Sequence, residues 1–313
     1  MRNKVFIFAI GLTLVFSSIS GMFGEILEGR YVGGKVVGKG GAINADSMGV
    51  SSIFFNSAAL ADVKKNLEIW FSYGAPYEDV PGSSMHEFAF AAGYNLGFMK
   101  TAVGFKSTGD FTALSYNYIY ATGATSFEIG NSILKSVSVG LSLKMVDIHA
   151  GNLPSYTGFS VNSDGIGFSF DVGTQLHLFS DVLVLGINGR NLFSSSISLI
   201  GTGGDSLKRD LFLGLKCYIT KFLNLTVDYN ALGSAHTVPY INLFGDSVSF
   251  ANLYFGIEFD YLENMEIYTG FNEGSLTLGV GVTDSDYFKL DFGIWVLPGL
   301  KMYSHVGLSV SPF

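Results

Sequence analysis

Apolar and polar residues alternate with a period of two along most of this chain. Near the C-terminus, Phe288, Leu290 and Phe292 share one face of such a stretch, and Lys289 and Asp291 share the other. Successive side chains of a β-strand point to opposite faces, whereas a helix would spread these apolar residues around its whole circumference. The pattern therefore predicts strands that each have one apolar face.

About fourteen segments carry this alternation, close to the even number that a closed single-chain antiparallel barrel requires. Most span roughly ten residues, which matches the ~9–11 that a tilted strand needs to cross the hydrocarbon of a bilayer. The predicted strands cover 66–74, 85–95, 99–107, 111–120, 136–147, 164–177, 181–191, 208–219, 222–231, 250–262, 265–273, 275–284, 286–297 and 301–311.

The connections between these strands tend to alternate between short and long, as periplasmic turns and extracellular loops do in membrane barrels. The segment 121–135 interrupts the alternation, and it contains either a small helix or a strand that the count misses. Short breaks lie near 96–98, 178–180, 220–221, 262–264 and 285, and long ones rich in Gly, Ser, Asn and Pro lie at 75–84, 148–163, 192–207 and 232–249.

Composition indicates which way the apolar face points. Charged residues make up 14% of the chain, against the ~25% of an average soluble domain, and mean hydropathy is +0.37. The polar face is largely Gly, Ser, Thr and Asn, which is too little charge for the outside of a soluble sandwich or lipocalin-like barrel. We therefore expect an all-β protein, a transmembrane antiparallel β-barrel of about 14 strands. A soluble all-β protein is the alternative.

The polar face of such a barrel lines the lumen, so its charged residues are candidate lumen groups. They can pair across neighbouring strands, and such pairs either shape a pore or fill it. The predicted lumen residues are Lys144, Asp171, Arg190, Lys216, Asp228, Glu258, Asp260, Lys289 and Asp291.

The N-terminus has the features of a secretory signal. Arg2 and Lys4 precede an apolar stretch from Val5 to Phe16, and small residues follow it. This stretch of about 12 residues is short for a spanning helix and typical of a signal peptide. We predict a signal peptide in 1–24 and a location in the bacterial cell outer membrane. An uncleaved N-terminal anchor is the alternative.

Residues 25–65 are rich in Gly and lack long alternation, unlike the barrel predicted for 66–313. Gly allows the tight turns and close backbone approach that a segment inside a lumen needs, and the amide of Asn56 can bind backbone groups there. We predict that 25–65 forms an N-terminal plug. It is either a hatch that controls passage or a static plug that only helps the barrel to close.

Parts of the chain resemble a known family. The motif consists of Gly38, Gly40, Gly41, Ala42, Asn56, Ser57 and Ala58. It is similar to the opening of the long-chain fatty-acid transporter (FadL-type) barrels and of the PorV-type shuttle proteins of type IX secretion, although Ser57 replaces the family's Pro. An ordered series in the C-terminal half, including 185–192 and 209–216, looks more like the PorV-type branch and its uncharacterised relatives. The resemblance implies a fourteen-stranded barrel with an N-terminal plug in its lumen.

Nothing in the sequence indicates an enzyme. Cys217 is the only cysteine, which excludes a disulfide within the chain, and a net charge of -8 without a basic cluster disfavours nucleic-acid binding. The five histidines lack metal-ligand spacing, and no G-x-S-x-G motif is present. We predict no catalytic residue, no cofactor and no metal site.

Three functions fit these observations. The first is a transporter or channel for hydrophobic or small molecules, gated by the hatch. The second is a non-enzymatic scaffold that binds secreted or surface proteins, as the PorV-type resemblance implies, and the third is a structural barrel with a blocked lumen. Outer-membrane lipid and, through the terminal Phe313, the barrel insertion machinery are expected partners. The long loops would offer hydrophobic cargo the side chains of Leu153, Tyr156, Phe159, Leu199, Ile200, Tyr240 and Phe244.

Overall fold

The fold is known from a computed structural model. The signal peptide predicted for 1–24, the seven apolar loop residues named above and Phe313 lie outside the residues that it describes. The described residues are 25–26, 32–75, 85–109, 114–151, 163–197, 206–232, 252–272, 275–285, 287–297 and 301–312.

Fourteen antiparallel strands form one closed barrel. Each strand pairs with the next along the chain, and the last closes on the first through pairs that run from Ser304–Ala75 to Val310–Ile69. Closure leaves no sheet edge, so every strand finds backbone partners within the barrel. The predicted fold class and strand number are confirmed. The strands are β1 (Leu67–Ala75), β2 (His86–Asn95), β3 (Lys100–Gly109), β4 (Leu114–Glu128), β5 (Leu134–Ala150), β6 (Ser163–Leu178), β7 (Leu183–Ser194), β8 (Asp210–Thr220), β9 (Leu223–Asn230), β10 (Leu253–Leu262), β11 (Met265–Asn272), β12 (Ser275–Ser285), β13 (Phe288–Leu297) and β14 (Lys301–Val310).

The apolar face of the strands points outward. In β10, Ile257 and Phe259 are 40% and 41% exposed, whereas Tyr254 and Glu258 are each only 5% exposed. The same alternation recurs on the other strands, so the exterior carries large aliphatic and aromatic side chains. An apolar exterior around a polar interior is the arrangement of a barrel that crosses hydrocarbon.

The segment that interrupts the predicted alternation is a strand. β4 continues to Glu128 and pairs with β5 as far as Glu128–Ser136, so the predicted small helix is wrong. The outward positions Ala121, Gly123 and Thr125 are small, which makes the hydropathy pattern too weak to reveal a strand there. The remaining connection to β5 is short, at 129–133, but the connections 110–113, 273–274 and 298–300 at the opposite end are short as well, so short and long connections alternate only in part.

Residues 32–62, which we call the plug, lie inside the barrel. A five-residue helix, α1 (Gly34–Gly38), packs against β11 to β14, and two 3₁₀ turns, Gly49–Phe54 and Ser57–Asp62, pack against β1 to β6. Nearly all side chains from Val32 to Leu60 are buried. The exact limits of signal peptide, plug and barrel remain predictions. Within the described ranges, no helix is both long enough and apolar enough to cross a membrane.

Candidate functional site

A row of glycines on the inner wall faces the plug, and we call it the glycine belt. Its members lie on eight strands between β5 and β13, and they form four directly opposed cross-strand pairs. Because the inner face of a strand is normally lined with side chains, the belt leaves a track on which another backbone can lie. The pairs are Gly140–Gly173, Gly186–Gly214, Gly256–Gly270 and Gly279–Gly293.

The plug backbone is in direct contact with this belt. A Cβ atom added at Gly293 would lie 2.1 Å from the Gly34 carbonyl oxygen, and one added at Gly186 would lie 2.2 Å from the Asn44 carbonyl oxygen. Neither distance is sterically possible, and both neighbours are backbone atoms that cannot turn aside. Glycine at these positions therefore lets the plug backbone lie directly against the wall.

The glycines of the N-terminal motif, Gly38, Gly40 and Gly41, allow the plug backbone to follow this wall closely. Gly40 and Gly41 have φ of 61° and 78°, which favours glycine over other residues. Gly38 approaches the belt so closely that its Cβ would lie 3.0 Å from the Cα of Gly279. Ala42 is fully buried beside an aromatic residue of β8. The motif therefore shapes the turn after α1 and brings it against the wall.

Asn56 binds plug backbone on both sides of its own position. Its Nδ2 donates to the carbonyl of Asn44 at 2.7 Å, and its Oδ1 accepts from the N–H of Ala58 at 3.1 Å. The second bond caps the 3₁₀ turn that begins at Ser57. Ser57 and Ala58 themselves lie over Gly140 of the belt. The amide thus joins the two halves of the plug.

Two of the predicted lumen carboxylates hold plug backbone. Asp228 Oδ2 accepts from the N–H groups of Ile43 and Asn44 at 2.8 and 2.9 Å, and from Asn44 Nδ2 at 2.6 Å. Asp291 Oδ1 accepts from the N–H of Lys35 at 2.7 Å. Hydrogen bonds to an ionised acceptor are stronger than neutral ones, so these two side chains fix the plug at two separate points of the wall.

Neutral wall side chains complete this contact, and sequence reasoning missed them. Asn188 Nδ2 donates to the carbonyl of Phe55, Gln175 Nε2 to that of Asn44 at 3.2 Å, and Thr277 Oγ1 to that of Gly38 at 2.9 Å. Asn188 is directly opposite the belt residue Gly173 in the sheet. A polar residue beside an inward glycine is thus the signal that marks such positions.

An ion-pair cluster connects the plug to β8 and β10. We give this name to Lys35, Lys39 and Asp46 of the plug together with Lys216 and Glu258 of the wall. Lys216 Nζ and Lys39 Nζ each lie 2.5 Å from Asp46, and Glu258 lies 3.0 Å from Lys39 and 2.9 Å from Lys35. The predicted lumen residues Lys216 and Glu258 meet here; the three plug residues were not predicted.

The charges of this cluster stabilise one another. Burial alone would raise the pKa of Asp46, but attraction to Lys216 and Lys39 outweighs it, and the pKa lies well below its usual value. Burial likewise lowers the pKa of Lys35, but the attraction of Glu258 outweighs it, and the pKa lies well above its usual value. Asp46 and Lys35 are therefore both charged at neutral pH, and the shift of each pKa depends on the plug remaining in place.

A cavity of about 820 Å³, which we call the vestibule, lies between the plug and the short connections of the barrel. Lys35 and Asp46 form part of its inner wall, and the turns at Phe222 and Asn264 lie at its outer end. The plug therefore closes the inner end of a water-accessible chamber. Asp260, Glu266 and Lys289 also line it, and Lys289 Nζ lies 2.6 Å from Glu266 Oε1.

The remaining predicted lumen residues form a separate polar cluster around a bulge of β7. Lys144 Nζ lies 2.8 Å from Asp171 Oδ1 and donates to Asn191 Oδ1 at 2.5 Å. Asn191 has a φ of 52°, and its N–H donates to Asp171 at 2.7 Å. Arg190, next in the chain, is 3% exposed. This cluster holds the bulge where the pairing of β6 and β7 shifts register.

One further buried network links the start of the plug to β2, β3 and β14. His305 Nδ1 accepts from the N–H of Gly33 at 3.4 Å, and His305 Nε2 lies 2.8 Å from Tyr303 Oη. Tyr303 donates to Glu87 at 2.7 Å, and Glu87 pairs with Lys106 at 2.8 Å. This network was not predicted from the sequence, because it joins β14 at one end of the chain to β2 and β3 near the other.

The first 3₁₀ turn of the plug contacts a different kind of wall. A Cβ at Gly93 would meet Val50, and one at Gly104 would meet Ile53, so the turn lies on small inward residues of β2 and β3. Ala91, on the same inner face, is fully buried. Apart from the buried carboxyl group of Glu68 on β1, which accepts from the N–H of Val50, this side of the plug is held by apolar packing, whereas the α1 side is held by several charges and hydrogen bonds.

Solved structures with this fold include two toluene transporters. TodX of Pseudomonas putida has a TM-score of 0.56 and 14% identity, over 93% of this chain and 100% of that chain. TbuX of Ralstonia pickettii has a TM-score of 0.57 and 14% identity, over 90% of this chain and 97% of that chain. A FadL homologue of Pseudomonas aeruginosa has a TM-score of 0.50 and 12% identity, over 90% and 98%.

At these identities the likeness shows the fold alone. The FadL-type part of the resemblance is confirmed at that level, and the PorV-type branch remains a prediction. No protein-family model matches the sequence. No curated protein matches it either.

Proposed function

We propose that the protein is an outer-membrane channel for small hydrophobic molecules and that its plug is the gate. The observation that carries this proposal is the contact between plug and glycine belt. The plug is held by close packing, hydrogen bonds and ion pairs, and Cys217 as the sole cysteine leaves no disulfide between plug and wall. Such a segment can move without breaking the barrel. The belt is also what a static plug would need, so movement must be tested.

The inner wall beside the plug supports an apolar cargo. Ala89, Ala91 and Ala102 line β2 and β3 there, and Phe54 of the plug packs edge-on against Tyr120 of β4 at 4.9 Å between ring centroids. The structurally similar proteins TodX and TbuX are toluene transporters. The vestibule beyond the plug lies within the ~300–1,000 Å³ range of small-molecule sites. Once the plug moves, a small apolar molecule would meet apolar wall residues on this side of the plug and the vestibule beyond it.

The same proposal accounts for location and partners. The apolar exterior fits outer-membrane lipid, and the long connections then face the outside of the cell while the vestibule faces the periplasm. Insertion would use the barrel insertion machinery. The protein acts without catalysis in this proposal, since its charged lumen residues hold the plug or one another. The scaffold alternative has no specific observation in its favour among the described residues, and the blocked-barrel alternative differs from this proposal only in whether the plug moves.

The test is uptake by cells that carry the full chain in their outer membrane and lack other hydrocarbon channels. We expect labelled toluene to enter several-fold faster than in the empty strain, while a sugar of similar size does not. Deletion of 32–62 should let the sugar pass as well. Toluene uptake equal to that of the empty strain, with folded barrel present, would refute the channel. Exclusion of the sugar after the deletion would refute the gate.

A further inference from the structure

The side-chain cover of the inner wall has a gap beneath the first 3₁₀ turn of the plug. Four residues of β1 to β4 stand in one row across the sheet, with Trp70 opposite Ala91, Ala91 opposite Gly104 and Gly104 opposite Tyr120. Neighbouring strands lie about 4.8 Å apart, so the two aromatic residues are separated by roughly 14 Å of wall. We call this gap the ring socket, with Ala91 and Gly104 as its floor.

The plug fills the ring socket with the side chain of Phe54. The Phe54 ring centroid lies 4.9 Å from that of Tyr120, edge-on, and 5.7 Å from that of Trp70. A Cβ atom added at Gly104 would lie 3.0 Å from Phe54 Cζ, so the ring reaches the floor of the socket. Ring pairs at these distances are favourable. Because the side chain of phenylalanine is a toluene unit attached to the backbone, the structure itself shows that the socket accepts one substituted ring.

The apolar surface continues from the socket along β4 and β5 towards the long connection between β5 and β6. Tyr118 lies opposite Val146, both are buried inside the barrel, and the Tyr118 ring centroid is 6.4 Å from that of Tyr120. Asn117 and Asp147, which also lie opposite each other, are on the outward face. This row reverses the usual polarity of a membrane barrel, whose lumen is polar. The wall is therefore suited to an apolar molecule on its way to the socket.

We propose that the ring socket binds one aromatic ring of the cargo and that Phe54 is an internal competitor that the cargo must displace. Phe54 and a free arene need the same space, so the binding of one excludes the other. Cargo therefore loosens the turn Gly49–Phe54, and Phe54 restricts entry to molecules that replace a single ring. The proposal rests on the proposed function for the identity of the cargo, but the competition is measurable without transport.

Competition also sets the apparent affinity for the cargo. In the parent protein the socket is free only in the fraction of molecules whose Phe54 has left it, and the apparent Kd is raised by the inverse of that fraction. Phe54→Ala removes the competitor and leaves the walls in place. We expect it to bind toluene at least about tenfold more tightly than the parent does. Filling the floor by Ala91→Leu in the Phe54→Ala background should abolish this gain.

The test is hydrogen exchange of the purified full-length protein in detergent, with toluene as the probe. At ten times the Kd measured for Phe54→Ala, toluene should raise the ratio of displaced to seated turn about tenfold in the parent, and exchange in Gly49–Phe54 should become faster. In Phe54→Ala the same ligand fills the vacancy beneath the turn, so exchange there should become slower. Phe55→Ala is the matched control. Its lost ring lies 6.4 Å from that of Phe54, which stays in the socket, so toluene should still accelerate exchange.

The reversal of sign separates competition from the binding of toluene to an engineered cavity, which would slow exchange in Phe54→Ala and leave the parent unchanged. Decane enters the same micelles but has no ring to replace Phe54, so it should affect neither protein. The proposal is overturned if toluene leaves the parent unchanged, if it acts with the same sign in both proteins, or if decane acts like toluene. Tighter binding that survives Ala91→Leu also overturns it.

The parent result does not depend on how well any variant folds, and closed barrels are verified by the different migration of boiled and unboiled samples on a gel. The outcome is also distinct from that of the uptake experiment. Toluene uptake without the reversal of sign refutes the ring socket and leaves the channel, whereas the reversal without uptake refutes the channel and leaves the ring socket.

Discussion

Replacing Gly293 by alanine tests whether the glycine belt holds the plug. The new Cβ would lie 2.1 Å from the Gly34 carbonyl oxygen and 2.7 Å from the Gly38 nitrogen, at the two ends of α1. Ordinary contact begins at 3.4 Å, so the helix must retreat by about 1.3 Å. That movement takes the Lys35 N–H, now 2.7 Å from Asp291, out of hydrogen-bonding range.

The magnitude follows from the sum of two effects on plug attachment. Overpacking costs about 1–3 kcal/mol, and a lost hydrogen bond to a charged group costs about 1.5–3 kcal/mol. We expect plug attachment to weaken by about 3 kcal/mol, which raises the ratio of detached to attached plug roughly a hundredfold. The barrel strands need not move, because the plug is the part that can yield.

Two readouts follow the plug directly. Trp70 is buried against Phe54, with 5.7 Å between ring centroids, so its fluorescence in a Trp295→Phe background reports plug position. Single-channel conductance in planar bilayers reports an open lumen. Gly293→Ala should change Trp70 emission and raise the open fraction. Gly123→Ala is the control, because its Cβ would meet only the flexible end of Met99.

The reasoning is refuted if Gly293→Ala has the emission and conductance of the parent while the boiled and unboiled forms still migrate differently on a gel. Gly186→Ala tests whether the effect is confined to β13 or extends to the rest of the belt. Its Cβ would lie 2.2 Å from the Asn44 carbonyl oxygen on the other side of the lumen. Both variants must loosen the plug if the belt acts as a whole.

The remaining predictions concern the charges, the motif and the two halves of the plug. Because the pKa of Asp46 is depressed, its contribution is complete above its usual pKa of about 4 and is lost only as the pH falls through the lower folded value; the part of the pH-dependent change in Trp70 emission that Asp46→Asn abolishes should therefore lie below pH 4, and a part that lies above pH 4 would contradict this. Asn56→Ala should weaken attachment by about 2–4 kcal/mol, from a lost cap and an unpaired carbonyl, whereas Ser57→Ala, whose Oγ has no partner among described residues, should leave Trp70 emission unchanged. Hydrogen exchange should be faster in Gly49–Phe54 than in 34–46, and the reverse order would be inconsistent with the contacts described.

The barrel was predictable from the sequence because lipid imposes one rule on every strand. Each outward position must be apolar, so period two appears in residues such as Leu276, Leu278 and Val280 without reference to any partner. The period-two pattern missed the end of one strand, where the outward side chains are not large and apolar. Around Gly123 the outward side chains are small, and the end of β4 was lost from the count.

The contacts of the plug were not predictable in the same way, because they depend on pairs far apart in the chain. Lys39 and Glu258 are separated by 219 residues, and Asn188 and Phe55 by 133. The inward glycines were visible in the sequence, but they looked like tolerant lumen positions. Only the close approach of the plug backbone shows why a side chain is excluded at Gly293.

The uneven contacts of the plug decide which part can leave first. Lifting the α1 half separates Lys39 from Glu258 at 3.0 Å and Asp46 from Lys216 at 2.5 Å, which leaves the wall charges without their plug partners, and breaking one side of a buried pair costs about 3–5 kcal/mol. Moving Gly49–Phe54 along β2 and β3 mainly exchanges apolar contacts of Val50 and Ile53 for those of an apolar cargo, at about 25 cal/mol per Å² in either direction. Cargo thus compensates the opening of the apolar half and does nothing for the charged half. Passage would therefore begin beside β2 and β3, with α1 still held on the wall.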